Sequence, residues 1–108
     1  MKAQPLKLGN GRYMPCTVEE ATHVMLNIPG PIPTRIIPVQ LHGTRAGTGN
    51  WSWNGDTEKP TLRPSIKSEC PPVCERCHTW VSDGKVQFLN DCTHELAGQT
   101  LDLLEVDY

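Results

Sequence analysis

Hydrophobic and polar residues alternate over short stretches of this chain, and turn-forming residues separate the stretches. A period of two is typical of strands that bury one face and expose the other. The alternation predicts strands at residues 36–42, 50–54, 61–67, 79–82, 85–89 and 100–106. The fold class predicted is therefore mostly β, with a small α+β arrangement as the alternative.

One segment near the N-terminus is instead compatible with a helix. Residues 17–27 contain neither proline nor glycine, and Glu20 follows Thr17 at the spacing of a capping box. This predicts one short N-terminal helix. The next segment, residues 28–38, contains four prolines and is predicted to be an extended connector.

Length and charge limit the classes of function. The chain has 108 residues, which predicts a single domain over 1–108, and its net charge of −2 argues against a nucleic-acid binder. No stretch approaches the roughly 18 apolar residues of a membrane span. Residues 1–7 do not resemble a secretory signal, so the expected location is the cytoplasm of a bacterial host.

Cysteine and histidine residues cluster in the second half of the chain. Two Cys at the spacing C-x2-C are followed, after 14 residues, by C-x-H, which is typical of a zinc ribbon or knuckle. The predicted Zn²⁺ ligands are Cys74, Cys77, Cys92 and His94, with Cys70 and His78 as substitutes. Because thiolates dominate the set, the metal is expected to be structural. Buried free thiols and a disulfide framework are the alternatives.

A tight turn predicts how these residues are arranged. Asp83-Gly84 favours a two-residue hairpin turn, which places Ser82 opposite Lys85. Side chains alternate along each strand, so this register places Cys77, Cys92 and His94 on one face. His78 and Asp91 are then expected on the other face, where they could pair.

Established catalytic motifs are missing from the sequence. It contains no phosphate-binding loop, no G-x-S-x-G elbow and no H-E-x-x-H motif. The one set predicted to do acid–base chemistry is His78, Asp91 and His94. The alternating pair Trp51 and Trp53 is predicted to pack in the core rather than to stack on a base.

Several blocks in residues 50–104 resemble a family of small proteins from tailed phages, prophages and bacteria that have no assigned function. The specific blocks are Cys77-His78 and Asp91-x-x-His94-x-Leu96-Ala97-Gly98-Gln99-Thr100. Some members carry an ammonia monooxygenase label, which these motifs do not support. The resemblance also implies a connection to ubiquitin-like conjugation genes, and it gives no match for residues 1–49.

The resulting hypothesis is a zinc-binding phage or prophage accessory protein. It would act by binding a host or phage macromolecule, most simply a protein, and inhibition of a host defence system is one version of this role. One alternative is a metal-assisted hydrolase that uses His78, Asp91 and His94. Another is an accessory factor of ubiquitin-like conjugation. The sequence makes no prediction of oligomeric state.

Overall fold

A computed structural model describes residues 1–30, 33–41, 51–68, 77–92 and 95–106 of the chain. Within these ranges, nine strands form one sheet in the order β2-β1-β3-β4-β5-β6-β7-β8-β9. The strands are β1 (Gln4–Gly9), β2 (Arg12–Pro15), β3 (His23–Asn27), β4 (Thr34–Leu41), β5 (Trp51–Trp53), β6 (Leu62–Ser68), β7 (Cys77–Ser82), β8 (Lys85–Phe88) and β9 (Thr100–Asp102). The described ranges include no helix with the length and apolar character that crossing a membrane requires.

The sheet is antiparallel apart from one pair and curls back on itself. Only β4 and β5 run parallel among the described strands. After β9 the chain returns to β3, where the amide of Leu104 donates to the carbonyl of Asn27 at 3.0 Å. The amide of Val106 also donates to the carbonyl of Met1 at 2.9 Å. These contacts hold the C-terminal segment against β3 and the N-terminus, so that these regions enclose the same core.

The main core lies on the inner face of this curled sheet. Alternate residues of β7 and β8 are buried, as expected for strands with one face toward the core. The largest buried side chains are Trp53 and Phe88, and they belong to one cluster that extends from β3 to β8. Burial of aromatic side chains of this size is a dominant favourable contribution to folding. The opposite face of β6 and β7 is partly exposed and carries the candidate site.

The mostly β prediction is confirmed, and so is the hairpin. Ser82 pairs with Lys85 and Trp80 with Gln87. Asp83 and Gly84 have φ angles of 53° and 78°, the left-handed conformation that this turn requires. The six predicted strands correspond to β4 through β9, with ends that differ by up to four residues.

The predicted N-terminal helix over 17–27 is wrong. Thr17 does contact Glu20, with Oγ1 and Oε1 2.9 Å apart, but this contact closes a turn. The chain then enters β3, whose central residues are buried. A helix of eleven residues is marginal on its own, and pairing β3 between β1 and β4 satisfies the same backbone groups while burying Val24 and Leu26.

The prediction of an extended connector over 28–38 is wrong for its second part. Residues from Thr34 onward form β4, in which Pro38 is paired with His23 of β3. Strands β1 and β2 were not predicted, because their burial does not alternate: β1 buries two consecutive residues, and β2 is mostly exposed. Their hairpin turns at Asn10 and Gly11, both at positive φ.

Candidate active site

A bulge in β6 sets the position of Ser65. Leu62 pairs with Val81 and Ile66 pairs with Thr79, so three residues of β6 lie opposite the single residue Trp80 of β7. Pro64 lies within this bulge and has no amide hydrogen to give to the ladder. Bulges bend a strand and change the direction of a side chain, and they are common beside active sites.

His78 lies on β7, the strand next to Ser65. The burial of β7 alternates strictly, with Cys77 and Thr79 toward the core. His78 is therefore on the outer face, where its side chain is 23% exposed. Its register partner on β6 is Lys67, two residues beyond Ser65. Ser65 and His78 are thus diagonal neighbours on the outer face of adjacent strands.

Asp91 comes from the turn that follows β8. The amide of Leu89 donates to the carbonyl of His78 at 2.9 Å, which continues the β7–β8 pairing up to the turn. The amide of Cys92 then donates to the carbonyl of Leu89 at 3.1 Å and closes the turn. Asp91 is carried outward as a result, and its side chain is 45% exposed.

These three side chains form one continuous hydrogen-bonded chain. Ser65 Oγ lies 2.8 Å from His78 Nε2, and His78 Nδ1 lies 3.0 Å and 3.2 Å from the two oxygens of Asp91. A carboxylate only accepts hydrogen bonds, so Nδ1 carries the proton and Nε2 of the neutral ring is an acceptor. The Ser65 hydroxyl therefore donates to Nε2, the orientation in which histidine can remove its proton.

The arrangement is that of a Ser-His-Asp triad. Such triads are recognised by geometry and roles, because they occur on unrelated folds in different chain orders. Here the order along the chain is Ser65, His78, Asp91. A nucleophile, a general base and an orienting carboxylate in this arrangement can carry out acyl transfer through a covalent intermediate.

Two neighbouring side chains brace the backbone of the triad. The indole Nε1 of Trp51 donates to the carbonyl of Ser65 at 3.3 Å. The thiol of Cys92 contacts both the amide and the carbonyl of His78, each at 3.2 Å. The nucleophile and the base are therefore each held from a further strand or turn.

The predicted metal ligands are only partly described. Cys77 and Cys92 are buried, as the predicted face requires, and the Cys77 thiol lies against Cys92 and the Arg35 guanidinium. Burial raises the pKa of the Cys77 thiol, and the Arg35 guanidinium opposes that shift. Cys70, Cys74 and His94 lie outside the described residues. Among the residues that are described, no group of three metal-ligating side chains occurs.

The predicted pairing of His78 with Asp91 on the outer face is confirmed. Both ring nitrogens of His78 are engaged, one by Asp91 and the other by Ser65. The sequence pattern does not indicate Ser65 as a site residue, because this serine lies in no recognised nucleophile motif. The sequence does show that Ser65 directly follows a proline in an irregular strand. This pattern indicates a bulge, but it does not indicate which strand lies beside it.

One family model matches most of the chain. Residues 13–89, more than two-thirds of the chain, match the family described as "BubE: Bacterial ubiquitination-like system serine protease". The matched range includes Ser65 and His78 and ends two residues before Asp91. Searches of curated proteins and of solved structures found no match. The extent of the family match shows that this chain belongs to the BubE family of bacterial ubiquitination-like systems.

Proposed function

We propose that this chain is a serine protease that cleaves an acyl bond in a protein of a bacterial ubiquitination-like system. The single observation that supports this most strongly is the hydrogen-bonded chain from Ser65 through His78 to Asp91. The family match gives independent support, since serine protease is the activity in the family's description. An accessory role in ubiquitin-like conjugation, one of the alternatives from sequence, is compatible with this activity.

The proposed reaction has two steps. In the first, Ser65 Oγ attacks the carbonyl carbon while His78 Nε2 takes the hydroxyl proton, and the acyl-enzyme forms as that proton passes to the leaving group. In the second, His78 activates water, which hydrolyses the ester on Ser65 and restores the hydroxyl. Asp91 keeps the proton on Nδ1 and stabilises the imidazolium that forms in each step.

Labelling of the full-length protein with a fluorophosphonate probe tests this assignment. The probe phosphonylates a serine that an adjacent base activates, and peptide mass spectrometry locates the modified residue. We expect Ser65 to be modified, and Ser65→Ala and His78→Ala to abolish labelling. Ser52→Ala is the matched control, because Ser52 lies on the neighbouring strand β5 and makes no contact with the triad that the structure records. Labelling that survives Ser65→Ala would refute the proposed nucleophile.

We also propose a structural Zn²⁺ behind the triad. Its ligands are those that the sequence spacing predicts: Cys74, Cys77, Cys92 and His94. Two of the four support the proposal, because Cys77 and Cys92 are buried side by side. Each is also the chain neighbour of a triad residue, since Cys77 precedes His78 and Cys92 follows Asp91. A bound ion would supply a cross-link between β7 and the turn that carries Asp91.

Metal content of the purified protein tests the zinc site. We expect about one zinc per chain, lost in Cys77→Ser and retained in Cys16→Ser, because Cys16 lies after β2 and outside the predicted ligand set. Protein purified without any transition metal, with Cys77 and Cys92 both reactive toward a thiol reagent after unfolding, would contradict the proposal and favour free thiols.

A binding role without catalysis is the competing function. Under that hypothesis the chain contacts a host or phage protein, and Ser65→Ala leaves its biological effect unchanged. Capture of a partner by both wild-type protein and Ser65→Ala, with no fluorophosphonate labelling of either, would favour the binding protein over the protease.

A further inference from the structure

Arg63 lies two residues before the proposed nucleophile and at the start of the β6 bulge. Its Nη1 donates to the carbonyl of Leu62 at 2.7 Å and to that of Val81 at 3.0 Å. Its Nη2 donates to Ser82 Oγ at 2.8 Å. The guanidinium therefore connects β6 to β7 at the place where the bulge interrupts the regular ladder.

The same guanidinium also packs on an aromatic ring. Its central carbon lies 5.2 Å from the ring centroid of Trp80, a distance typical of a cation–π contact. Trp80 is the one β7 residue opposite the bulge, and it lies two residues beyond His78. Because β6 and β7 are antiparallel, Arg63 and Trp80 lie on the same side of Ser65 and His78, each two residues from one of them.

We infer that Arg63 is a positioning residue for Ser65 and that it acts through a clamp formed by Arg63, Trp80, Val81 and Ser82. This inference rests on the proposed serine protease function. Bulge residues lack regular ladder hydrogen bonds, so the backbone at Ser65 depends more on side-chain contacts such as that of the Trp51 indole with its carbonyl. The clamp fixes the lateral separation of β6 and β7, and with it the 2.8 Å contact between Ser65 Oγ and His78 Nε2.

The distance and orientation between Ser65 and His78 affect the rate of the chemical step more than the affinity for a ligand. A misplacement of about 1 Å in a reacting group can cost about 100-fold in rate. Arg63 is suited to this role because its flat guanidinium presents several donors in a fixed arrangement. The three donors of a lysine ammonium all lie on one nitrogen, so they are less suited than a guanidinium to reach three acceptors on two strands while packing on Trp80.

The test measures the inactivation of full-length variants by a fluorophosphonate probe, which separates the maximal inactivation rate, kinact, from the probe affinity, KI. We expect Arg63→Met to lower kinact by about 10- to 100-fold and to change KI by less than about threefold. Arg63→Lys should recover only part of this loss. Propylguanidinium added to Arg63→Ala should restore part of kinact. Arg12→Met is the matched control, because it removes an exposed cation from β2, at the far edge of the sheet.

Three outcomes would overturn the positioning role while leaving the proposed protease intact. One is a kinact for Arg63→Met within threefold of wild type, measured while Ser65→Ala is unlabelled. Another is a change in KI alone, which would make Arg63 a probe-contacting residue. The third is loss of the folded state in both Arg63→Met and Arg63→Lys, seen by circular dichroism, which would make Arg63 a determinant of the fold. Absence of labelling at Ser65 in the wild type overturns the protease and this inference together.

Discussion

Replacement of Asp91 by asparagine is a sharp test of the triad, because it preserves side-chain size and removes the charge. The Asp91 carboxylate keeps the proton of His78 on Nδ1, with which it makes contacts of 3.0 and 3.2 Å. An asparagine amide can instead donate to Nδ1. Histidine then carries its proton on Nε2, the nitrogen that must accept the proton of Ser65.

The exposure of Asp91 determines the size of the expected effect. In a protease whose triad aspartate is buried, the same substitution lowers kcat by about 10⁴-fold. The Asp91 side chain is 45% exposed, so water screens its charge and weakens its contribution. We therefore expect a loss of about 10²- to 10³-fold, which corresponds to about 2.7 to 4 kcal/mol of transition-state stabilisation.

The assay is the maximal rate of fluorophosphonate inactivation, measured with the thermal unfolding midpoint of each variant. Asp102→Asn is the matched control, because it removes an exposed carboxylate that forms an ion pair with Lys85 at 2.7 Å. We expect the control to retain the wild-type rate within about twofold, since exposed ion pairs contribute little. An Asp91→Asn variant that reacts within threefold of wild type would refute the role of Asp91.

Three further predictions concern folding stability. Gly84→Ala should lower the free energy of unfolding, measured in urea, by about 1–2 kcal/mol. The reason is that Gly84 has a φ of 78° and that a Cβ would lie 3.1 Å from the Glu58 carbonyl oxygen. A loss below about 0.5 kcal/mol would contradict this reasoning. Thr79→Val should stabilise by about 1 kcal/mol, since Oγ1 of Thr79 is buried and has no hydrogen-bond partner in the described ranges; marked destabilisation would reveal a partner for this hydroxyl. Burial lowers the pKa of His23 below 6.5, so on acidification the unfolded chain takes up this proton before the folded one and stability falls below pH 6.5. His23→Gln should flatten that part of the pH profile, and an unchanged slope would exclude His23 as its source.

The sequence by itself determined the hairpin and the division of its two faces. Asp83-Gly84 allows a two-residue turn, and that turn fixes which residues of β7 and β8 are opposite each other. Strict alternation along β7 then places Cys77 toward the core and His78 outward, and the turn after β8 places Cys92 inward and Asp91 outward. All of these relations are local, so they could be derived without knowing any other part of the fold.

Only the tertiary structure decided which residue completes the site. Ser65 reaches His78 because β6 pairs with β7 and bulges there, and both facts depend on the packing of distant segments. The failed helix prediction at residues 17–27 has the same origin. A local capping contact between Thr17 and Glu20 does form, but pairing of β3 with two neighbouring strands overrides the helical propensity of that segment. Local patterns define short-range registers. The position of the proposed nucleophile depends instead on long-range strand pairing, because that pairing is decided by how the whole chain buries its core.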